Sequence, residues 1–307
     1  MNLPAIESFC LVVKQGSISK AAKELHVSQP ALSIQIQELE HQLDSILLER
    51  CNRGVTPTEV GMLVNKYGLK FTSLANNLKK EIEQINNTQT ELAIAASSTI
   101  GQYSLPCTLY IFHQRFPESK IITKILNTRE AIELTLSGSV DFSILEGPIS
   151  DEYKRMLKYE GIIIQRMTRD DLIVVAPYNE KWMDVDEISI KDFMDLEWIL
   201  REPGSGIRST IDNKLSQEGI DPNQLKIVME LDQTSAIISS VTSENGLSLL
   251  PRLAVKKELH YKSLKAIRIK EFIFHHTISL TYNPQKIKSN LANEFLQLIC
   301  SEERCLY

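Results

Sequence analysis

The stretch SISKAAKELHVSQPALSIQIQELE, residues 17–40, constrains the fold more than any other part of the chain. Ile18, Ala21, Ala22 and Leu25 recur at i, i+3, i+4 and i+7, and Ile6, Phe9, Cys10 and Val13 upstream repeat that spacing. Each segment therefore predicts a helix with one apolar face. Gly16 separates the two, and Ser17 offers its hydroxyl as an N-cap for the second, whose alanines let a neighbour approach closely. A third helix is predicted from Ser28, with Val27 and Leu32 placed as a hydrophobic staple and Pro30 in the first turn, where backbone donors are unpaired anyway. Three short helices thus share one small core.

On the third helix Leu32, Ile36, Leu39 and Leu43 lie in a narrow arc, and the opposite arc holds Pro30, Ile34, Gln37 and His41, flanked by Ser33. A solvated face usually carries Lys and Glu. A helix that enters the major groove of DNA instead needs amides and hydroxyls for base edges and an apolar group for a thymine methyl, which Gln29, Ser33, Ile34 and Gln37 supply. The competing reading is a plain three-helix bundle with a polar face. The segment LLERCNRGVTPTEVG then places Arg50 and Arg53 beside a Gly and a Pro, the pattern of a short hairpin whose arginines reach phosphates or a minor groove, or are simply solvated.

From residue 58 to about 87, Val60, Leu63, Tyr67, Phe71, Leu74, Leu78, Ile82 and Ile85 form one continuous stripe. A helix of about 30 residues is roughly 45 Å long. A domain of about 60 residues is too small to cover it, so the stripe is predicted to pack on a second copy, the other reading being a helix lying across its own C-terminal half. The segment NNTQT, residues 86–90, breaks the pattern.

Composition narrows the setting. The 307 residues suffice for about two domains. No apolar run approaches the roughly 20 residues of a membrane span, and MNLPAIESFC is neither basic nor long enough in apolar residues for an export signal, so a cytoplasmic location is expected. The net charge of -5 argues by itself against a nucleic-acid partner, but residues 1–90 carry nine Lys and Arg against nine Asp and Glu, so the whole deficit lies further on. Five cysteines without a CxxC indicate neither a disulfide framework nor a zinc site; they read as buried or bystander thiols, with Cys300 and Cys305 as the alternative of a redox pair. No metal or cofactor is expected.

Beyond residue 90 short apolar strands alternate with helices: ELAIAAS, KIITKIL, VDFSILE, DLIVVAP, EWIL, KIVMEL and GLSLLP. This is a βαβ pattern, hence a mostly parallel sheet with helices on its faces, in two similar subdomains with a cleft between them. Ligands bind such sheets at strand ends. The loops there are Ser97, Ser98 and Thr99; Asn127 and Thr128; Arg201 to Gly206, including Ser205; and Gln233 with Thr234, while Glu146 ends VDFSILE. Each loop leads into a predicted helix N-terminus, where hydroxyls and free N–H groups favour an anion. Each hydroxyl singly reads as an N-cap; four such ends facing one cleft read as a binding site for a small anion, with Arg201 as an added cation.

The run from SISKAAKELHVSQPALSIQIQELE through the hairpin, with the layout that follows, resembles the LysR-type transcriptional regulators. The resemblance implies an α/β architecture in three parts: an N-terminal winged helix-turn-helix over residues 1–60, a dimerising linker helix over 58–90, and a periplasmic-binding-protein-like regulatory domain over 91–307. In that domain, residues 91–165 plus about 267–307 would form one subdomain and about 166–266 the other, the chain returning through HTISLTYN and LANEFLQLIC. The implied DNA contacts are Ser28, Gln29, Pro30, Ser33, Ile34, Gln37, Arg50 and Arg53, and the implied effector contacts are Ser97, Ser98, Thr99, Asn127, Thr128, Glu146, Arg201, Ser205, Gly206 and Thr234. Family members often carry a basic residue where Ile34 or Gln37 stands. The segment REPGSG resembles a subgroup linked to sulfur assimilation or carbon fixation, although Ile207 stands where a Thr is frequent. The implied partners are double-stranded operator DNA, a small anionic effector, a second copy through the linker helix, a homotetramer, and RNA polymerase.

Two other classes compete. An enzyme would need a nucleophile, phosphate loop or metal motif, and no P-loop, GxGxxG, GxSxG or HExxH occurs; the adjacent His275 and His276 in an apolar segment read as packing. A solute-binding protein would suit the C-terminal half but leaves residues 1–90 without a role.

Overall fold

The computed structural model describes residues 3–51, 54–85 and 91–305. The chain divides into two compact units, residues 1–82 and 83–307.

The first unit begins with α1 (Leu3–Gln15), α2 (Ile18–Glu24) and α3 (Gln29–Gln42), followed by strands β1 (Leu48–Cys51) and β2 (Gly54–Pro57). Ser17 and Ser28 are the N-caps of α2 and α3, their hydroxyls accepting from the amides of Lys20 and Ala31. The turn between the two helices is tight because His26 takes φ 56°, which sends its own N–H to Lys23 O and that of Val27 to Ala22 O. This Schellman arrangement satisfies two orphan carbonyls at the end of α2. Val12, Ala21, Ala22, Leu32, Ile36 and Val55 close one core, and Ile6, Phe9, Cys10, Leu39 and Leu47 another beside it. Burial pushes the Cys10 thiol up to about 11, with the Glu7 charge adding to it, so this cysteine behaves as a core apolar group. The hairpin is pinned at both ends. Val55 N–H donates to Gly16 O at 3.0 Å, and the Glu40 carboxylate accepts from the amides of Leu47 and Leu48 at 2.7 and 3.1 Å.

Helix α4 (Glu59–Ile85) starts at Thr58, whose hydroxyl accepts from Gly61 N–H and donates to Ile46 O. One side of α4 lies against α1 so closely that a Cβ at Gly68 would sit 2.6 Å from Cys10 Sγ and Ile6 Cγ2. Elsewhere the stripe from Val60 to Ile82 is exposed. Leu63, Tyr67, Leu74, Leu78 and Ile82 are each at least half exposed. Leu3, Ile6, Phe71, Leu74, Ala75 and Leu78 line an apolar groove of about 460 Å³ between α1 and α4. The predicted break at residues 86–90 lies outside the described residues.

The second unit runs β3 (Glu91–Ser97), a π-helical turn (Ile100–Ser104), α5 (Leu105–Arg115), β4 (Lys120–Leu126), α6 (Thr128–Leu136), β5 (Phe142–Glu146), α7 (Asp151–Tyr159) and the long β6 (Ile163–Pro177). There follow β7 (Glu187–Ile188), α8 (Ile190–Asp195), β8 (Glu197–Arg201), α9 (Gly206–Gln217), β9 (Lys226–Leu231), α10 (Thr234–Thr242), β10 (Ser248–Pro251), α11 (Lys256–His260), β11 (Leu264–Ile269), β12 (Phe274–Tyr282) and α12 (Asn290–Cys300). The main sheet has the order β4-β3-β5-β12-β6-β11-β7, with β10 also on β6, while β8 and β9 pair in parallel. Strand alternation sorts the core into layers. Leu92, Ile94 and Ala96 of β3 face Phe112, Phe142 and Phe295, whereas Ala93 and Ala95 face Ala131, Ile132 and Leu157. Likewise Leu172, Val174 and Ala176 of β6 join Trp198 and Ile211, and Ile173 and Val175 join Ile237 and Val255. Two α/β/α sandwiches result, threaded by β6 and β12, which pair antiparallel across both, with a register shift between Ile278 and Ser279.

The helix expected after β3 is present: it starts at Ser98 and passes through the π-helical turn into α5. One expectation is corrected here. The cysteines do include a bonded pair, and it is Cys107 with Cys305 rather than Cys300 with Cys305. Their separation of 198 positions hides the pairing from any reading of spacing. It forms because α12 folds back beside α5, where Phe295 meets Phe112 edge to face.

Candidate functional site

The exposed arc of α3 is the first candidate site. Ser28, Gln29, Pro30 and Gln37 are exposed and Ile34 is 55% exposed, while Ser33 is half-buried at the edge of the arc. Leu32, Ile36 and Leu39 on the opposite side hold the helix in the core. Arg50 stands in β1 opposite Val55; its side chain, and Arg53 altogether, lie outside the described residues.

The second candidate site lies where the two sandwiches of the second unit meet. Arg201, at the end of β8, is only 2% exposed, and its guanidinium organises the cleft. Its Nη1 donates to Thr234 Oγ1 at 3.2 Å, its Nη2 to Ser98 Oγ at 3.1 Å, and its Nε to Glu202 Oε2 at 2.8 Å. Thr99 Oγ1 and Thr234 Oγ1 share a hydrogen bond of 3.2 Å across the cleft, and beside them Gln102 Nε2 donates to Gln233 Oε1 at 2.7 Å. Behind Arg201 lies a second buried charge. Glu146, at the end of β5, accepts from Thr99 N–H and pairs through Oε1 with His276 Nε2, each at 3.3 Å; His276 Nδ1 shares a hydrogen bond of 2.9 Å with Thr210. Burial pushes the Glu146 carboxyl up. The hydrogen bond and charge of His276, with Ser97 and the Arg201 charge, outweigh burial and hold it below the usual carboxylate range.

The remaining predicted residues are placed as follows. Ser97 Oγ donates to Ile144 O, and Thr128 Oγ1 donates to Glu146 O at 2.9 Å. Asn127 is a structural cap: with Glu130 it forms a capping box at the start of α6. Gly206 permits the closest approach of the two halves, since a Cβ there would stand 1.9 Å from Glu146 O. Ser205 Oγ, at the start of α9, is buried with no hydrogen-bond partner among the described residues. The strand and helix ends at the cleft are thus already served in part by the chain's own charges. Glu146 already serves the backbone N–H of Thr99, and Arg201 is already served by Glu202. His276, Thr210 and Glu202 were missed by sequence reasoning. The alternation of FHHTISLTY does mark His275 as outward and His276 as inward, but nothing local announces a partner 130 residues away.

Among the described residues no His, Cys, Asp and Glu cluster fits a metal ion, and no helix is long and apolar enough to cross a membrane. An exposed amide-rich helix in a three-helix unit with a hairpin, followed by a two-part α/β unit with a charged cleft, defines a DNA-binding regulator with a ligand-responsive domain. Residues 3–62 match the family of bacterial regulatory helix-turn-helix proteins of the lysR family, and residues 86–302 match the LysR substrate binding domain. The chain belongs to the LysR family of transcriptional regulators. It is 33% identical to a probable RuBisCO transcriptional regulator of Porphyra purpurea over 94% of this chain and 90% of that one. In fold it is similar to full-length CbnR complexed with its target DNA, with TM-score 0.65 and 21% identity over 97% of this chain and 99% of that one. It is also similar to the CcmR regulatory domain of Synechocystis PCC6803 in complex with 2-PG, with TM-score 0.59 and 21% identity over 68% and 95% of the two chains.

Proposed function

We propose that this regulator reads its operator with the outward arc of α3 and is controlled by a small anion bound at Arg201. In this reading residues 1–60 bind DNA, residues 58–90 pair two copies, and residues 91–307 sense the effector, with 91–165 and about 267–307 as one subdomain and about 166–266 as the other. The observation that carries it is the exposed, uncharged set Ser28, Gln29, Pro30, Ile34 and Gln37 on a helix otherwise locked in a core. Gln29 and Gln37 offer paired donor and acceptor groups to an adenine edge, Ser33 a single hydroxyl, and Ile34 a surface for a thymine methyl, while Ser28 and Pro30 bring the helix start close to the backbone. Arg50 and Arg53 on the hairpin serve phosphates or a minor groove. CbnR bound to its target DNA has this architecture, which supports the assignment. The chain acts in the cytoplasm as a binding protein rather than an enzyme, as a dimer through α4 and a homotetramer beyond that, with RNA polymerase as a further partner.

Gln29→Ala and Ser33→Ala are each expected to weaken binding to the cognate site by about 1–3 kcal/mol and to leave binding to random DNA nearly unchanged, because amide and hydroxyl contacts to bases carry discrimination. A fluorescence titration on both DNAs decides it. Equal losses on the two would rule out base reading by these residues.

For the effector site, the support is a buried guanidinium bonded to Ser98 and Thr234, with the unpaired buried Ser205 hydroxyl at the start of α9, and with Ser97, Thr99, Thr128, Glu146 and Gly206 at the neighbouring strand and helix ends. The likeness to a regulatory domain bound to 2-PG points the same way. Ser205→Ala separates ligand binding from folding. Removing an unsatisfied buried hydroxyl leaves the free protein as stable or slightly more so, while a lost bond to a charged acceptor weakens the ligand by about 1.5–3 kcal/mol. A thermal-shift screen of sulfate, sugar phosphates and small carboxylates on both proteins reads this. A ligand that stabilises both equally places the effector elsewhere.

A further inference from the structure

Cys107 lies in the first turn of α5 and is exposed, and Cys305 follows the end of α12 by five residues. Their Cα atoms are 5.7 Å apart and their sulfurs are bonded, a Cα separation usual for an unforced bridge. The tail carrying Cys305 is also seated without its sulfur. Ser104 Oγ donates to Cys305 O at 2.8 Å, and Thr108 Oγ1 accepts from Cys305 N–H at 3.1 Å. Arg304 donates to Cys300 O at 3.2 Å and to Met167 O at 3.3 Å, and Glu303 pairs with Arg115. These contacts and the sulfur bond together hold the tail against α5.

The other described cysteines are placed differently. Cys10 is buried in the first unit, and Cys300 is half-buried, where burial pushes its thiol up although Gln165 and Arg304 partly offset this. Cys107 is open to solvent, on the exposed side of α5, where a small oxidant can reach its sulfur.

We propose that Cys107 and Cys305 form an oxidative modification site, a reversible thiol–disulfide couple that fastens the C-terminal tail to α5. With a peroxide as oxidant, the Cys107 thiolate attacks the peroxide O–O bond; the alcohol or water leaves and a sulfenic acid remains. The Cys305 thiolate then attacks that sulfur, the S–S bond forms and hydroxide departs as water. The two sulfurs together give up two electrons, which the peroxide accepts. A dithiol reverses the reaction by exchange through a mixed disulfide. Ser104, which holds the Cys305 carbonyl, ends the π-helical turn whose Gln102 touches Gln233 across the cleft, so the fastened tail is bonded to the same turn that bridges the cleft. Because Leu291, Phe295, Leu298 and Ile299 already hold α12 in the core, the bond governs the tail rather than the whole unit.

The test uses the full chain, fully reduced and then titrated with hydrogen peroxide. Peptide mass spectrometry without reductant should find the Cys107 peptide joined to the C-terminal one within a single chain, 2 Da lighter than the separate thiols, and released by dithiothreitol. The link should form equally in Cys300→Ser. Amides of residues 301–305 should exchange hydrogen at least about tenfold faster in the reduced protein and in Cys107→Ser than in the oxidised one, with the rest of the chain unaffected. Overoxidation of Cys107 without a link, a link to another cysteine or another chain, or equal tail exchange in both states would overturn the proposal.

Discussion

Leu74→Lys combined with Leu78→Lys is expected to convert the wild-type assembly into single chains. The two leucines are 66% and 61% exposed on α4, on a stripe that the unit of residues 1–82 leaves bare. A surface helix of about 40 Å with an unbroken apolar stripe gains most by packing against its own copy. Two-fold symmetry doubles each substitution, so four leucine side chains leave the contact. At about 1.5 kcal/mol or more each, the loss is about 6 kcal/mol or more, roughly a 10⁴-fold weaker association before the cost of burying lysines is added. The fold of the first unit should survive, because α4 meets α1 most closely at Gly68, while Leu74 and Leu78 only line the open groove beyond it and remain mostly exposed. Sedimentation equilibrium at micromolar concentration reads the mass directly. An unchanged mass in the double variant would dismiss α4 as the contact.

Glu146→Leu is expected to destabilise the regulatory unit by about 3 kcal/mol at neutral pH. The substitution leaves the buried Thr99 amide and His276 Nε2 without their partner and removes a charge that faces Arg201. Breaking such a buried pair from one side costs about 3–5 kcal/mol, and the low end applies because Glu202 continues to serve Arg201. The acid dependence follows from the direction of the carboxyl's shift. Its folded pKa lies below the ordinary 4.5, so its contribution is fully present above that value and disappears as pH falls through the folded pKa. Urea titrations at a series of pH values should therefore show a wild-type advantage at pH 7 that shrinks below about pH 4.5. An advantage constant with pH would show that packing, not charge, is what Glu146 supplies.

What was legible in the sequence was what local periodicity encodes. The caps at Ser17 and Ser28, the inward set Leu32, Ile36 and Leu39, and the bare stripe of α4 all follow from side-chain identity and helical spacing. The strand ends that carry Ser98, Arg201 and Thr234 were also found, because βαβ alternation fixes where strands stop. Their state was not. Arg201 is satisfied by its immediate neighbour Glu202 and by hydroxyls from two other elements, and only the closed cleft brings these together. The His276–Glu146 pair and the Cys107–Cys305 bond depend on the return of β12 and α12 to the first sandwich. No periodicity records such partners. The left-handed turn at His26 was not legible, since that conformation at a histidine has no strong sequence signal.

The most direct test of the account is a salt titration of the intact protein on genomic fragments, followed by footprinting of the DNA it retains. A regulator with two outward α3 helices should protect two similar half-sites related by a two-fold axis and spaced by whole helical turns, about 10 base pairs or multiples of it. Its affinity for that site should exceed its affinity for random DNA by about 10³-fold or more at physiological salt, both falling as salt rises. Retention of fragments without a shared sequence, or equal affinity for both DNAs across the titration, would contradict the claim that this chain reads an operator.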